Sequence, residues 1–293
     1  MRKKSVRIAL AVVLASLPGI VQAQPSSHYV PGIEGIKGSS LPPPGWYVRD
    51  YNVGYYSTEL NTAANKDTHI AGVQAFCYAN VPRLIWITDE KILGGYLGAD
   101  VVLPITYQSL TIPGEYNHAT AGIGDFFTEA TLSWHVKRFD YAIGVGEWMP
   151  TGDANTPTEA GMGFWTTMFS AGATYYFDEE KTWSLSALSR YEVNGGKNYA
   201  HLTPGETYTL EWGLGKTFAK VWEVGPVGYY QQEVTPDGGK PAWTRSRVAA
   251  IGPEINVAFP KIMVFVALRT EYEFMAESRL QGETTALVLT KRF

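Results

Sequence analysis

The feature that most constrains this chain is the rhythm of its connections. From Trp46 to the C-terminus, twelve segments alternate side-chain character with period two: 46–58, 69–88, 92–105, 126–137, 139–149, 165–177, 182–193, 206–218, 221–233, 246–258, 262–274 and 281–293. The links after even-numbered segments are tight (89–91, 138, 178–181, 219–220, 259–261). Those after odd-numbered ones are longer (106–125, 150–164, 194–205, 235–245). Short turns on one side and long loops on the other are the pattern of a transmembrane β-barrel with periplasmic turns and extracellular loops. A soluble sandwich alternates along each strand too, but has no reason to alternate its link lengths.

The faces agree with that reading. In 208–218, Tyr208, Leu210, Trp212, Leu214 and Phe218 point one way, and Thr209, Glu211, Gly213, Gly215 and Thr217 the other, because successive strand side chains alternate sides. Many apolar faces end in aromatics (Trp46, Tyr47, Trp134, Trp165, Phe177, Trp183, Trp212, Phe218, Trp222, Phe274), the residues that form girdles at membrane interfaces. The expected fold is therefore all-β: a closed antiparallel barrel of twelve strands over residues 46–293. Its last segment, "TTALVLTKRF", must pair with the first to remove the sheet's edges, which places Phe293 at the periplasmic interface. A terminal aromatic also resembles the signal read by the outer-membrane insertion machinery. Segment 69–88 exceeds the ~9–11 residues of one span and contains Pro82, so it is expected to bend or protrude there.

Composition removes the competing classes. Mean hydropathy is −0.11 and no apolar run reaches the ~18 residues of a spanning helix, while a barrel exposes only alternate residues to lipid. A net charge of −4 argues against nucleic acid as a partner. Residues 1–23 read as a signal peptide: Arg2, Lys3, Lys4 and Arg7, an apolar run over 8–17, then Val21-Gln22-Ala23, with a mature start at Gln24. The single cysteine, Cys77, excludes an intramolecular disulfide.

The inward face carries Glu129, His135, Arg190, Glu192, Glu211, Glu254, Arg269 and Glu271, with Tyr176 as an inward ring. Two readings stay open: a structural network of paired lumen charges, or a polar track that a solute passes. Arg269 is expected opposite Gly252, with Glu254 as its diagonal neighbour. Residues 24–45, rich in Pro, Gly and Ser, are either a periplasmic tail or a lumen plug. No catalytic, cofactor or metal set emerges. The histidines (28, 69, 118, 135, 201) lack metal-site spacing, and no G-x-S-x-G elbow occurs. Gly215-Lys216-Thr217 lies inside a strand, where a phosphate loop does not form. Thr131, Ser133 and His135 on one inward face keep a serine-type hydrolase open.

The stretches "HYVPGIEGIKGSSLPPPGWYVRDY" (28–51), "VPRLIWITDEKILGGYLGADVVLP" (81–104), "GIGDFF" (122–127), "MPTGD" (149–153) and "AIGPEI" (250–255) resemble the transporter-like family named for the meta pathway of phenol degradation. That resemblance covers nearly all of the mature chain. It implies an exported outer-membrane barrel linked to catabolism of aromatic compounds, without naming a solute or a mechanism. Twelve strands lie between barrels filled by side chains and those with a water-filled channel. The expected function is uptake of a small hydrophobic or aromatic solute. A lipid hydrolase on a twelve-stranded barrel and a structural or adhesive surface barrel are the alternatives.

Overall fold

A computed structural model of the chain describes residues 27–61, 72–114, 116–198, 202–238 and 245–293. The expected signal peptide, His69 and His201 lie outside the described residues. The alternating segments become fourteen β elements: β1 (Gly45–Leu60), β2 (Gln74–Ile92), β3 (Gly95–Val102), β4 (Ile105–Ile112), β5 (Tyr116–Ile123), β6 (Phe126–Val136), β7 (Phe139–Met149), β8 (Thr166–Tyr176), β9 (Trp183–Asn194), β10 (Thr207–Phe218), β11 (Trp222–Glu233), β12 (Arg247–Phe259), β13 (Val264–Glu277) and β14 (Leu280–Arg292).

They build twelve wall strands, because β3 and β4 both pair with β2 and continue one another, as do β5 and β6 on the next strand. β1 closes the barrel by pairing with β14 on one side (Tyr47↔Arg292 to Leu60↔Leu280) and with β2 on the other (Gly45↔Ile87 to Ser57↔Ala75). Closure gives every strand but β5, which pairs only with β4, a partner on both sides, as a hydrocarbon environment demands of the spanning wall. The Phe293 N–H adds a last bond to the Trp46 carbonyl at 3.0 Å.

Two aromatic belts bound the lipid-facing surface. At the short-turn end Trp46 stacks on Trp86 (centroids 5.2 Å apart) and Trp134 on Tyr141 (5.0 Å). Phe177, Trp183, Phe218 and Trp222 are exposed at the same end, and Trp165, Tyr272 and Phe274 at the other. Tyr47 departs from the expected girdle. It is 3% exposed and points inward, donating its hydroxyl to the Pro43 carbonyl, because it has the opposite strand parity to Trp46.

Three local expectations change. Residues 89–91 are strand beside a register irregularity, and the tight turn falls at Leu93-Gly94 (φ 52° and 80°), the left-handed pair that a two-residue hairpin requires. Pro82 does not break β2, which runs through it for 19 residues. The break lies across the ladder, at Leu103-Pro104. Finally, 106–125 is not a loop: β4 and β5 form a hairpin that prolongs the wall beside the first half of β2. Between Val102↔Phe127 and Ile105↔Ile123 the β5–β6 strand gains one residue over the β3–β4 strand, a bulge that seats Gly124 and Asp125 at the junction.

Candidate functional site

Residues 27–44 run through the barrel from the loop end to the turn end, as their partners show. Near the loop end, Ser27 and the His28 and Tyr29 amides donate to Glu192 of β9. Deeper, the Gly32 and Ile33 amides and the Tyr29 hydroxyl donate to Glu211 of β10, and the Ile36 amide donates to Glu254 of β12 at 3.2 Å. At the turn end, Lys37 pairs with Glu223, and Ser40 donates to Asp140 at 3.1 Å. An irregular segment has no ladder to satisfy its N–H groups, and the wall carboxylates take that place. Gly32 is needed here for two reasons: its φ is 82°, and a Cβ would stand 2.3 Å from Glu271 Oε2.

Glu34 is the hub of the charge network. Its carboxylate meets Arg49 Nη1 at 3.0 Å, Arg83 Nη1 at 2.9 Å and Arg190 Nη2 at 3.3 Å. Arg83 also grips Asp100 through two nitrogens (3.0 and 2.8 Å) and reaches Glu129 at 3.5 Å. Burying so many charges is tolerable only because each guanidinium faces a carboxylate.

Of the sequence candidates, Glu129, Arg190, Glu192, Glu211, Glu254, Arg269 and Glu271 are all buried and inward. Arg190, Glu192, Glu211, Glu254 and Arg269 bond residues 27–36 directly, Arg269 through the Gly32 carbonyl at 3.0 Å. Arg269 stands directly opposite Glu254, not Gly252, with Nε 2.9 Å from Oε2; the 260–263 turn, which pairs Phe259 with Val264, sets that register, and strand counting began β13 at Ile262. His135 and Tyr176 lie apart at the turn end, where both bond Asp140 (3.0 and 2.6 Å). His135 does not engage Ser133, whose hydroxyl has no hydrogen-bond partner, so the hydrolase arrangement is not assembled. The sequence reading missed Glu34, Arg49, Arg83, Asp100 and Asp125. Strand parity places Arg49 and Arg83 inward and was the available signal for those two.

Toward the loop end, the other side of the lumen is apolar. Val30, Pro31 and Ile33 of the luminal segment face Val53 of β1, Cys77, Ala79 and Val81 of β2, Val102 of β3, Phe127 of β6 and Met168 of β8 across a cavity of about 170 Å³. Loop residues Ala160 and Met162 line it from the loop end, and Arg83, Glu34 and Glu129 lie at its polar edge.

A closed twelve-stranded wall, two aromatic belts and a lumen occupied by the chain's own N-terminal segment define a bacterial outer-membrane barrel of the narrow, internally filled kind. The chain belongs to the family described as "Putative MetA-pathway of phenol degradation", whose model matches residues 59–289. No curated protein sequence matches it. Among solved structures it is similar to an outer membrane channel from Pseudomonas putida (13% identity, TM-score 0.77, 91% of this chain and 100% of that one). It is also similar to the β domain of a Bordetella autotransporter (15% identity, TM-score 0.55, 86% and 100%).

Proposed function

We propose that this protein takes up small hydrophobic or aromatic compounds across the outer membrane through a narrow lumen, with residues 27–44 as its plug. The observation that carries this reading is the apolar cavity. At about 170 Å³ it is close to the ~150 Å³ apolar cavity known to stay dry and hold benzene. It is walled by aliphatic and aromatic side chains inside a lumen otherwise crowded with charge. Membership of a family tied to phenol degradation and the shared fold of the Pseudomonas putida channel support it.

In this reading Glu192, Glu211, Glu254, Arg190 and Arg269 anchor the plug, and the solute moves along the opposite, apolar wall. Glu129 marks the polar edge of the cavity, Glu271 packs against the plug at Gly32, and His135 and Tyr176 guard the periplasmic mouth with Asp140. Export would follow cleavage after Ala23, and Phe293 would serve recognition by the barrel-insertion machinery. N-terminal sequencing of outer-membrane material should then begin at Gln24. The deciding experiment is swelling of proteoliposomes with phenol-sized aromatics against sugars of similar mass. Faster swelling with aromatics is expected; equal rates, or none for either, would remove the uptake reading.

A further inference from the structure

Three stretches far apart in sequence meet on one carboxylate at the loop end of the cavity. Asp125 sits in the bulge between β5 and β6 and is 3% exposed. Its Oδ1 accepts the Gly152 N–H at 2.9 Å. Its Oδ2 accepts the Met162 N–H at 2.7 Å and lies 3.0 Å from His28 Nε2. Gly152 and Met162 stand near the two ends of the loop between β7 and β8, and His28 heads the described part of the luminal segment.

The surroundings make this junction specific. The two ends of the loop are pinched together: the Gly161 N–H reaches the Asp153 carbonyl at 2.8 Å, and a Cβ on Gly161 would stand 2.5 Å from the Gly152 oxygen. The pinch brings Ala160 and Met162 over the cavity. The His28 ring is held from the other side, with Nδ1 2.9 Å from Thr166 Oγ1, one face stacked on Trp148 (5.3 Å) and Phe164 edge-on (4.6 Å). Nothing in the barrel's closure requires these bonds, since every wall strand adjoining the bulge keeps its own ladder.

We infer that Asp125 is a positioning residue for the cavity: its carboxylate latches the external loop and the head of the luminal segment together as a roof, and the cavity opens outward when that latch releases. The inference rests on the cavity being the solute site, but its test uses no solute.

Cys77, the chain's single cysteine, lines the cavity beneath this roof. Its labelling rate with a charged, membrane-impermeant methanethiosulfonate, measured in proteoliposomes, reports access from the water side. Asp125→Asn and His28→Gln should each label at least roughly tenfold faster than the parent, the factor expected from losing a charge-assisted hydrogen bond. Heat-modifiable gel migration confirms that the barrels are folded. Because both changes act on one latch, the double variant should label no faster than the faster single. If Asp125→Asn does not fold, His28→Gln, which lies outside the wall, carries the test alone. Parent-like labelling in folded variants would overturn the latch, as would multiplied effects in the double variant. Failure of aromatic uptake would sink the proposed function while leaving these rates to judge Asp125.

Discussion

The two sides of the lumen treat the same luminal segment in opposite ways. Along β9–β13 the wall offers Glu192, Glu211, Glu254 and Arg269, and the segment answers with backbone amides and the Gly32 carbonyl. Along β1–β3, β6 and β8 the wall offers Val53, Val81, Val102, Phe127 and Met168. There the segment turns Val30, Pro31 and Ile33 outward and leaves a void. Pro31 has no N–H to satisfy, so it suits the side that accepts none. One wall holds the segment's backbone by hydrogen bonds that are costly to leave unmade; the other grips it through Arg49 and Arg83 on Glu34 and provides apolar space on the loop side of them. Holding the backbone and admitting are thereby separated across the lumen.

The largest effect is expected at Glu34, which both walls grip, Arg49 and Arg83 from one and Arg190 from the other. Glu34→Ala would leave Arg49, Arg83 and Arg190 facing one another around a missing partner, a loss of about 3–5 kcal/mol as for other broken buried pairs. Urea unfolding in detergent should show it, together with raised ion conductance as the segment detaches. A Glu34→Ala barrel as stable and as tight as the parent would mean that the charges do not hold the segment. Glu254→Gln should act in the same direction but more weakly, leaving aromatic-over-sugar preference unchanged. A changed preference in normally folded Glu254→Gln barrels would move the solute path to the charged wall.

On the admitting side, Ala79→Phe should fill the void and slow aromatic swelling strongly. Its stability cost should stay below the roughly 1–3 kcal/mol of overpacking a full core, because the ring occupies empty space. Undiminished aromatic flux would show that the cavity is not on the route.

Smaller effects belong to neither wall. Phe293 is 72% exposed, so Phe293→Ala should lower the yield of inserted barrel while removing less than the ~1.5–3 kcal/mol of a fully buried Phe from the folded state. Wild-type outer-membrane levels would count against an assembly role. The least is expected from Asp178→Ala in the turn after β8. There the Thr182 hydroxyl, with the Thr182 and Trp183 amides, holds the Asp178 carboxyl down at about 2. A depressed carboxyl contributes above its ordinary range and loses that contribution as pH falls through about 2. Amide exchange at 182 and 183 should quicken in the variant, and if it does not, the turn is held by other bonds.

Much of the architecture was legible because period two is local. Whether Leu210 or Glu211 faces lipid depends only on strand parity, and the alternating link lengths report which end each turn occupies. The misreadings arose where locality ends. Residues 106–125 carry Pro113-Gly114 at their centre, yet pair as a hairpin around it because the first half of β2 offers a free ladder. Tyr47 was grouped with the girdle by type, although its parity puts it inside. The opposition of Glu254 and Arg269 depended on the geometry of the 260–263 turn, which pairs Phe259 with Val264 and which strand counting does not register.

The sequence alone determined that this chain closes into a twelve-stranded antiparallel barrel with charge in its lumen, since alternation, turn length and aromatic placement are properties of neighbouring residues. Only the tertiary structure decided what those charges meet. Residues 27–44 have no period, so nothing local directs Glu34 to three arginines or His28 to Asp125. Those encounters follow from wall curvature, which brings strands distant in sequence around one aperiodic segment and leaves the apolar cavity beside it.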